Sequence, residues 1–452
     1  MYKGKDNNKS VNIFRKNNYR ITRSVSMHYK TYCFAFPKRR FCTVKAALLQ
    51  RKTYAFATSN RNHHFFSELS LQNIHYITSF IRLLNELNAL LFSVLNIFFV
   101  HLYYTKNDCN EDTPQVTNQY MEAIQINSYN KGQVKVVLRD TNIPSMGDSD
   151  VLVKVKAAAV NPLDILIAHG DVKLIVPYHF PLTMGNEFVG TIEKIGSEVN
   201  NFKIGDRVFA RMPLSRIGAF AEYVAIEASA LAKVPTYLSD EEAASIPLTA
   251  LTAEQALDIL NLKEGNSLFV SGGSGSFGAM AIPLAAARGL RVFTSGSAKD
   301  KERVMALGAT QYFDYRTSDY TTFLKDVDGA IDSIGNKEIP RLFSILRQGA
   351  TVVSLKGMPN GNFAKSFGMP LWKQWLFKLA GMKNDRLANR KSQKYQFMFV
   401  TANGSQLQRI ASILESKQIR PEVGTVYPLC QAEEALQEVA VGQKHGKVII
   451  KI

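Results

Sequence analysis

The chain has 452 residues, of which 46% are hydrophobic and 10% aromatic, so it can bury the cores of two or three globular domains. Its formal net charge of +17 is concentrated at one end, because residues 1–120 carry 17 Lys and Arg against 6 Asp and Glu. Cys430 is the one cysteine after residue 120, which excludes a disulfide framework or a multi-cysteine metal site in residues 121–452 and points to a reducing compartment.

Residues 1–120 form a basic N-terminal extension without a rhythm of strands, turns and helices. Within it, residues 87–104 are a run of 18 residues without Lys, Arg, Asp or Glu, long enough for a membrane span. Three interpretations stay open: a membrane anchor, an organelle-targeting segment, or a tail upstream of a start at Met121. We favour the last, since a strand begins at Met121 without a spacer, and we predict that the extension is not part of the folded body of the protein.

Residues 121–245 are predicted to form short strands separated by turns that contain glycine or aspartate, as at residues 203–206. Apolar and polar residues alternate most clearly over residues 151–160, which is typical of a half-buried strand. This pattern favours a small β-barrel-like domain. The other strands are predicted at residues 123–126, 134–138, 188–195, 207–210 and 220–226.

From residue 239 the pattern changes to an alternation of helices and strands. Ser239 and Glu242 have the spacing of a capping box, which predicts the start of a helix. Apolar β-like runs and helical stretches then alternate between residues 268 and 355, and this order predicts a doubly wound parallel sheet. The chain next turns helical and basic, and the apolar segment 446–452 is predicted to be a strand that rejoins the first domain.

The segment Val270-Ser-Gly-Gly-Ser-Gly-Ser-Phe-Gly278 is the most informative part of the chain, because a buried strand runs into closely spaced glycines and then into an apolar helix. Gly272, Gly275 and Gly278 leave no Cβ where the turn tightens, where a pyrophosphate approaches and where the helix packs on the strand. With Ser276 and Phe277 they are the predicted phosphate-binding residues of a dinucleotide cofactor, since a helix N-terminus offers unpaired N–H groups. A flexible loop is the alternative on spacing alone.

Further motifs precede this turn in a fixed order: Gly185-Asn-Glu-Phe-Val-Gly190, then Gly196, then Gly205-Asp-Arg-Val208. Together with the glycine turn they resemble the medium-chain dehydrogenase/reductase superfamily, which includes the alcohol dehydrogenases, and within it the zinc-independent quinone oxidoreductases. The resemblance covers residues 121–452 and none of the extension.

The resemblance implies an α/β protein in which a GroES-like β-barrel catalytic domain flanks a Rossmann domain with a doubly wound parallel sheet. Substrate is then expected in the cleft between the two domains, and a homodimer is expected in solution. The predicted segments are the catalytic domain at 121–245, the NADP-binding Rossmann domain at 246–380 and a C-terminal return to the catalytic domain at 381–452.

The same resemblance bears on zinc. Where the zinc enzymes have Cys three residues before Asp, this chain has Asn161-Pro-Leu-Asp164, and where they have Gly-His-Glu, it has Gly185-Asn186-Glu187. Amides are poor zinc ligands, and the four cysteines of the structural zinc lobe are absent, so we predict no metal. By resemblance, Asn161 and Asp164 are predicted to line the nicotinamide and substrate end, and Glu187 is interpreted as structural. The alternatives are a turn ordered by Asn161 and a helix capped by Asp164.

The type of nicotinamide follows from the end of the second strand of the predicted Rossmann domain. NAD-specific folds place Asp or Glu about 20 residues beyond the glycine turn, whereas this chain has Ser295-Gly-Ser-Ala-Lys299. With Ser295, Ser297 and Lys299 there and Asp300 expected to point along the next helix, NADPH is the predicted cofactor. By resemblance, two further residues contact it, Tyr315 near the adenosine and Thr252 near the nicotinamide.

These features predict a zinc-independent, NADPH-dependent oxidoreductase that transfers a hydride to a quinone or another conjugated carbonyl, where the charge delocalises onto oxygen. One alternative is a reductase of enoyl or alkenal double bonds, and another is a noncatalytic, cofactor-holding protein that binds nucleic acid. No nucleic-acid motif accompanies the basic extension, so no such partner is expected. We expect a cytoplasmic protein, with membrane anchoring or organelle targeting as alternatives if residues 1–120 are retained.

Both tryptophans of the chain lie in the segment 367–378, and Trp372, Trp375, Leu376 and Leu379 recur at helical spacing beside lysines. A basic amphipathic helix of this kind can lie on a membrane surface. We favour a packed stripe, over the cleft or at a subunit contact, and expect membrane contact only through the N-terminal extension.

Overall fold

The structure is a computed structural model that describes residues 120–335, 337–442 and 446–452. The three interpretations of the N-terminal extension concern a segment that lies, except for Tyr120, outside these described residues. Within the described ranges the chain forms antiparallel strands first, then alternating strands and helices, and finally a strand that returns to the first sheet.

The first part of the described chain is rich in antiparallel strands. Along β3 (Asp150–Ala159), Val151, Val153 and Val155 are buried while Lys154 and Lys156 are exposed, so the middle of the strand alternates as predicted. Leu152 and the three alanines at the end of the strand are buried as well, so the strand is more than half-buried. The elements up to residue 233 are β1 (Tyr120–Ile126), β2 (Val137–Asn142), β3, α1 (Pro162–His169), β4 (Leu182–Thr183), β5 (Glu187–Ile195), β6 (Arg207–Arg211), β7 (Tyr223–Glu227) and β8 (Ala232–Lys233).

The predicted strand at 134–138 is wrong in its bounds, because β2 runs from Val137 to Asn142. This strand pairs only with β1 in its sheet of three strands, and its residues are mostly exposed. An edge strand with both faces near solvent has no apolar alternation, so periodicity could not locate it.

The second part of the described chain alternates helices and strands as predicted. The Ser239 hydroxyl accepts the Glu242 N–H at 3.2 Å, and the Glu242 carboxylate accepts the Ser239 N–H at 2.8 Å, so the capping box is confirmed. The elements are α2 (Asp240–Ala244), α3 (Pro247–Leu260), β9 (Ser267–Val270), α4 (Ser276–Ala287), β10 (Arg291–Gly296), α5 (Lys301–Ala306), β11 (Gln311–Asp314), α6 (Tyr320–Phe323), β12 (Val327–Asp332), α7 (Ile339–Ile345) and β13 (Leu346–Ser354).

A parallel sheet of six strands confirms the predicted doubly wound architecture. With β14 (Lys394–Phe397) as its last strand, the order is β11-β10-β9-β12-β13-β14. Its order reverses between β9 and β12, and ligands bind at such a switch point, at the carboxyl ends of the strands. The sheet continues past residue 380, since its last strand begins at Lys394. The remaining elements are α8 (Gly361–Ser366), α9 (Leu371–Asn389), β14 (Lys394–Phe397), α10 (Gly404–Lys417), β15 (Val423–Pro428), α11 (Ala432–Val441) and β16 (Lys447–Lys451).

The last strand lies in the antiparallel sheet formed by the first part of the chain. β16 pairs with β3, with Ile450 opposite Ala158, and the path of that sheet is β15-β16-β3-β5-β6-β8. Buried side chains from both sheets, including Val189, Phe209 and Val270, form one hydrophobic cluster. The two sheets pack against each other because this removes their apolar surface from water.

Candidate active site

The glycine turn joins β9 to α4 at the carboxyl end of the parallel sheet. Gly272 has a φ of +68°, a left-handed conformation that glycine adopts without steric cost. A Cβ on Gly278 would collide with the backbone of Gly273. These two glycines therefore allow the turn to tighten and the helix to pack directly against it.

Gly275 has a different surrounding, because a Cβ there would meet only the Gly272 carbonyl oxygen, at 3.5 Å. Gly275 is also the N-cap of α4, and no side chain caps this helix. The N–H groups of the first turn, which includes Ser276, Phe277 and Gly278, therefore face an open cradle at the positive end of the helix dipole. This geometry fits the pyrophosphate of a dinucleotide.

A cleft of about 280 Å³ opens beside the turn. Positive side chains outnumber negative ones along it, which favours an anionic ligand. Its lining includes the basic residues Lys299, Arg303 and Lys447, the acidic residues Asp300 and Glu422, and the turn residues Gly275 and Ser276.

Sequence reasoning missed Arg303, which lies on α5. Its Nη2 donates to the Ser274 carbonyl oxygen at 2.9 Å and to Asp300 Oδ1 at 3.2 Å. The spacing of four residues from Lys299 could have indicated it, because such residues are neighbours on a helix face. The expectation that Asp300 points along the helix is wrong: it lines the cleft, where Arg303 binds its carboxylate.

Three other residues predicted to contact the cofactor lie at or just after the ends of β10 and β11, and their surroundings differ. The Ser295 carbonyl oxygen accepts the Gly273 N–H at 3.0 Å, which ties the turn to β10. The Ser297 carbonyl oxygen accepts the Tyr312 hydroxyl at 2.7 Å. Tyr315 is 60% exposed and is not among the residues that line the cleft. The structure thus brings the turn and Lys299 together and leaves Tyr315 outside.

A buried network of amides and carboxylates forms the second part of the site. Asn161 Nδ2 donates to Glu187 Oε1 at 2.7 Å, and Asn186 Nδ2 donates to Asp164 Oδ1 at 2.7 Å. All four residues are at most 1% exposed. They meet because Asn161 follows β3, Glu187 begins β5, and these two strands are paired.

Both residues predicted as catalytic lie inside this network and hold other groups in place. The Asn161 amide also donates to the Ala159 carbonyl oxygen at 3.2 Å. Asp164 Oδ2 accepts the backbone N–H of Asn161, the N-cap of α1, at 2.8 Å, which is the helix-capping contact of the alternative interpretation. Neither side chain is exposed in the cleft beside the glycine turn.

The network continues to α3 and to the last strand. Glu187 Oε2 accepts the Leu248 N–H at 2.7 Å, and one helical turn later the Thr252 hydroxyl donates to the Leu248 carbonyl oxygen at 2.6 Å. Lys447 Nζ lies 2.9 Å from Glu187 Oε1, with side chains only 4% and 0% exposed. Because Lys447 also lines the cleft, it connects the network to the glycine-turn site.

Burial controls the protonation of Asp164. Desolvation raises the pKa of its carboxyl from 3.8 to about 7, although hydrogen bonds from the Asn161 N–H and the Asn186 amide lower it. The neighbouring charge of Glu187 raises this pKa further, and that of Lys447 lowers it. Asp164 therefore changes its protonation state near neutral pH.

Arg211, at the end of β6, is a second residue that sequence reasoning missed. It is completely buried, and burial lowers its pKa to about 10. Its Nη1 donates to the Met212 carbonyl oxygen, while Nε and Nη2 have no hydrogen-bond partner among the described residues, and neither does the buried Tyr178 hydroxyl. Burial raises the pKa of Tyr178 to about 12, so its proton is retained. No sequence signal marked Arg211, because arginine is ordinarily exposed.

Comparison with known proteins places this architecture in a family. Residues 147–236 match the alcohol dehydrogenase GroES-like domain, and residues 307–450 match the zinc-binding dehydrogenase family. A mitochondrial NAD(P)H oxidoreductase of Danio rerio is 30% identical over 355 residues, covering 74% of this chain and 91% of that protein. A chloroplastic quinone-oxidoreductase homolog of Spinacia oleracea is 26% identical over 341 residues, covering 73% of this chain and 98% of that protein.

Among solved structures, the quinone oxidoreductase from Coxiella burnetii is similar, with a TM-score of 0.63 and 27% identity over 74% of this chain and 100% of that one. The chain belongs to the medium-chain dehydrogenase/reductase superfamily, as its motifs indicated, and combines a GroES-like domain with a Rossmann-type domain. It is an oxidoreductase of the quinone oxidoreductase type that uses a nicotinamide cofactor. In the described ranges, none of the helices is both long and apolar enough to cross a membrane.

Proposed function

We propose that this protein is an NADPH-dependent reductase that transfers a hydride to a quinone or another conjugated carbonyl without zinc. The buried network carries the proposal, because Asn161 and Asn186 each donate an amide hydrogen bond to a carboxylate. These residues stand where the zinc enzymes of the superfamily have Cys and His, and amides are poor zinc ligands. Among the described residues, no three His, Cys, Asp or Glu side chains are placed to hold a metal ion. An acceptor activated by its own conjugation needs no Lewis acid.

The residues of the cleft fit NADPH, which would supply the hydride when bound. Gly275 leaves room for a pyrophosphate at the N-terminus of α4, and the first-turn N–H groups are aimed at that space. Lys299 and Arg303 bring positive charge to the same cleft, which suits a 2′-phosphate. Arg303 also binds Asp300, which reduces the repulsion that this carboxylate would exert on the phosphate.

Stabilising the reduced acceptor requires hydrogen-bond donors, because hydride addition to a conjugated carbonyl places negative charge on its oxygen. Arg211 Nε and Nη2 and the Tyr178 hydroxyl are donors without a partner among the described residues. They lie close enough to each other and to Asp164 for the charges to interact. We assign them to the acceptor side of the site.

The proposal is tested with purified protein, NADPH or NADH, and a panel of quinones, enones and enals, with zinc measured in the same sample. We expect NADPH oxidation with a conjugated acceptor that persists after dialysis against a chelator. Stoichiometric zinc together with alcohol oxidation would overturn the proposal, and activity confined to enals would favour the double-bond reductase. Gly275→Val fills the phosphate cradle and should abolish the reaction, whereas Ile204→Val, in an exposed turn, should leave it unchanged.

The compartment and the assembly state belong to the same proposal. The sequence favours the cytoplasm, with organelle targeting through residues 1–120 as an alternative, and the mitochondrial and chloroplastic names of two relatives support that alternative. Cell fractionation with intact-mass measurement decides between them, since a shortened chain in an organelle fraction contradicts a cytoplasmic location. We also propose a homodimer without a nucleic-acid partner, which light scattering and a nucleic-acid binding assay will test.

A further inference from the structure

The face of α9 that points away from the core is apolar and exposed. Leu371, Trp372 and Trp375 are 77%, 61% and 66% exposed, so within the described residues the stripe is not packed over the cleft, while the expected subunit contact stays a prediction. At 100° per residue, its six members lie within an arc of about 140°. The α9 stripe consists of Leu371, Trp372, Trp375, Leu376, Leu379 and Met382. The buried residues of the helix lie on its opposite side, at Phe377, Gly381, Asn384 and Ala388.

Basic side chains surround the α9 stripe. Residues 361–393 contain seven Lys and Arg and a single acidic residue, Asp385. The ammonium groups of Lys373 and Lys378 lie 5.6 and 5.9 Å from the ring centroids of Trp372 and Trp375. Apolar residues thus occupy the first three turns of this face, and cations flank and follow them. Six of the basic residues are exposed: Lys365, Lys378, Lys383, Arg386, Arg390 and Lys391.

The helix that carries the stripe is held firmly from behind. Phe377 packs edge-to-face on Phe363 of α8, with ring centroids 6.3 Å apart. Asn360 donates to the Asp385 carboxylate at 2.7 Å. Lys373 Nζ donates to the carbonyl oxygen of Leu174, in the segment after α1, at 2.6 Å. The stripe is therefore a fixed surface, and its exposure does not come from a loosely attached helix.

We propose that the α9 stripe and its surrounding cations form a docking surface for the interface of an anionic lipid bilayer. Indole rings prefer the boundary between headgroups and acyl chains, where their apolar body and N–H are both satisfied. Lysines at the same level meet the anionic headgroups. The helix lies along the bilayer plane and does not cross it, in keeping with its mixed composition and with the lack of a membrane-crossing helix among the described residues.

The positive charge around the α9 stripe favours an anionic bilayer over a second copy of the chain as the occupant of this surface. A twofold contact through this face would bring the same patch onto itself and place both sets of cations together. Such like-charge contact is unfavourable across an interface. An anionic bilayer satisfies the apolar stripe and the cations at once. The proposal goes beyond the reductase activity and does not depend on which acceptor is reduced.

The two tryptophans make a specific test possible, because the whole chain has no others and both lie in the α9 stripe. Intrinsic tryptophan fluorescence of the full-length protein therefore reports on this surface alone, even if another segment also binds lipid. We expect a blue shift and quenching by brominated acyl chains with vesicles of phosphatidylcholine and phosphatidylserine. The response should weaken with added salt and be much smaller with phosphatidylcholine alone.

Variants that keep both tryptophans separate the apolar and the charged parts of the surface. Leu376→Asp with Leu379→Asp should abolish the blue shift. Lys378→Gln and Lys383→Gln should each lower the vesicle partition coefficient about fivefold, the effect of one lysine near an anionic surface. The matched control combines Lys203→Gln with Ile204→Asp, an exposed lysine and an exposed apolar residue in the turn before β6, and should behave as the parent protein.

Several results would overturn the proposal. One is vesicle binding without any change in tryptophan emission, which would locate the lipid contact elsewhere on the chain. Another is an equal response to neutral and anionic vesicles. A third is emission that is already blue-shifted without lipid, either dependent on protein concentration, as for a second copy, or independent of it, as for cover by another segment of the chain.

Discussion

Lys447 and Glu187 form an ion pair of 2.9 Å in which neither side chain is more than 4% exposed. The pair links β16, the last strand, to β5, which begins within the Gly-Asn-Glu motif. Glu187 is satisfied further by the Asn161 amide and the Leu248 N–H. The end of the chain is thereby fixed to the network and to the cleft.

Lys447→Met should destabilise the protein, because it leaves the Glu187 carboxylate buried without its counter-charge. Breaking a buried pair in this way costs about 3–5 kcal/mol. Adding Glu187→Gln should recover part of the loss, and denaturant unfolding of the two single variants and the double variant measures the coupling. Lys451→Met, on the same strand but in an exposed pair, should cost less than about 1 kcal/mol. Equal losses for Lys447 and Lys451 would contradict this prediction.

The raised pKa of Asp164 predicts an unusual dependence of stability on pH. Because the folded-state pKa of about 7 lies above the unfolded value of 3.8, the folded protein binds this proton more tightly. The contribution of Asp164 is fully present below pH 3.8 and is lost as the pH rises through about 7. At about 1.4 kcal/mol per pKa unit, the loss is on the order of 4 kcal/mol.

Asp164→Asn isolates this effect. The amide can still accept the Asn161 N–H, and Asn186 Oδ1, which has no partner among the described residues, can accept from it after an amide flip. We expect the variant to gain stability relative to the parent as the pH rises from 4 to 8. Asp319→Asn should show almost no change relative to the parent over this range, since the Thr321 N–H lowers the Asp319 pKa and the contribution of a lowered pKa is lost only as the pH falls below the unfolded value of 3.8. Parallel unfolding curves for Asp164→Asn and the parent would contradict the prediction.

Local patterns in the sequence were sufficient to predict the strand, turn and helix around Gly272 and Gly278, because a phosphate-binding turn is specified by consecutive residues. The doubly wound sheet could be predicted for a similar reason, because the alternation of strands and helices is visible in consecutive stretches of the sequence. Arg211 and Lys447 could not be predicted, since each enters the site through strand pairing between distant segments. Nothing near either residue in sequence marks a buried cation.

The α9 stripe shows a different limit of sequence reasoning. The helical spacing of Trp372, Trp375 and Leu379 predicted an apolar face, and the structure has one. Periodicity alone could not decide whether that face is buried, because a packed stripe and an exposed one have the same spacing. The other face of α9 packs on the protein with only a few residues, such as Phe377 and Ala388. The face of α9 that packs on the protein therefore has the weaker apolar pattern in the sequence.

A pair of glycine variants tests the phosphate cradle. Gly275→Ala places a methyl group in open space, so we expect little change in stability but a loss of NADPH affinity of about tenfold or more. Gly278→Ala forces a methyl group onto the Gly273 backbone and should destabilise the protein by about 1–3 kcal/mol. Thermal unfolding without cofactor and NADPH titration separate the two effects. If Gly275→Ala bound NADPH as well as the parent, the cradle would not be the phosphate site.

Arg303 should determine the preference for NADPH over NADH. A charge-assisted hydrogen bond to the 2′-phosphate is worth about 1.5–3 kcal/mol, so Arg303→Ala should lower the ratio of kcat/KM for NADPH to that for NADH about ten- to a hundredfold. Lys301→Ala removes an exposed cation from the same helix and serves as the matched control. Because Arg303 also binds the Ser274 carbonyl oxygen, a purely structural role would lower kcat/KM for both cofactors equally. An unchanged ratio would then show that Arg303 only supports the turn.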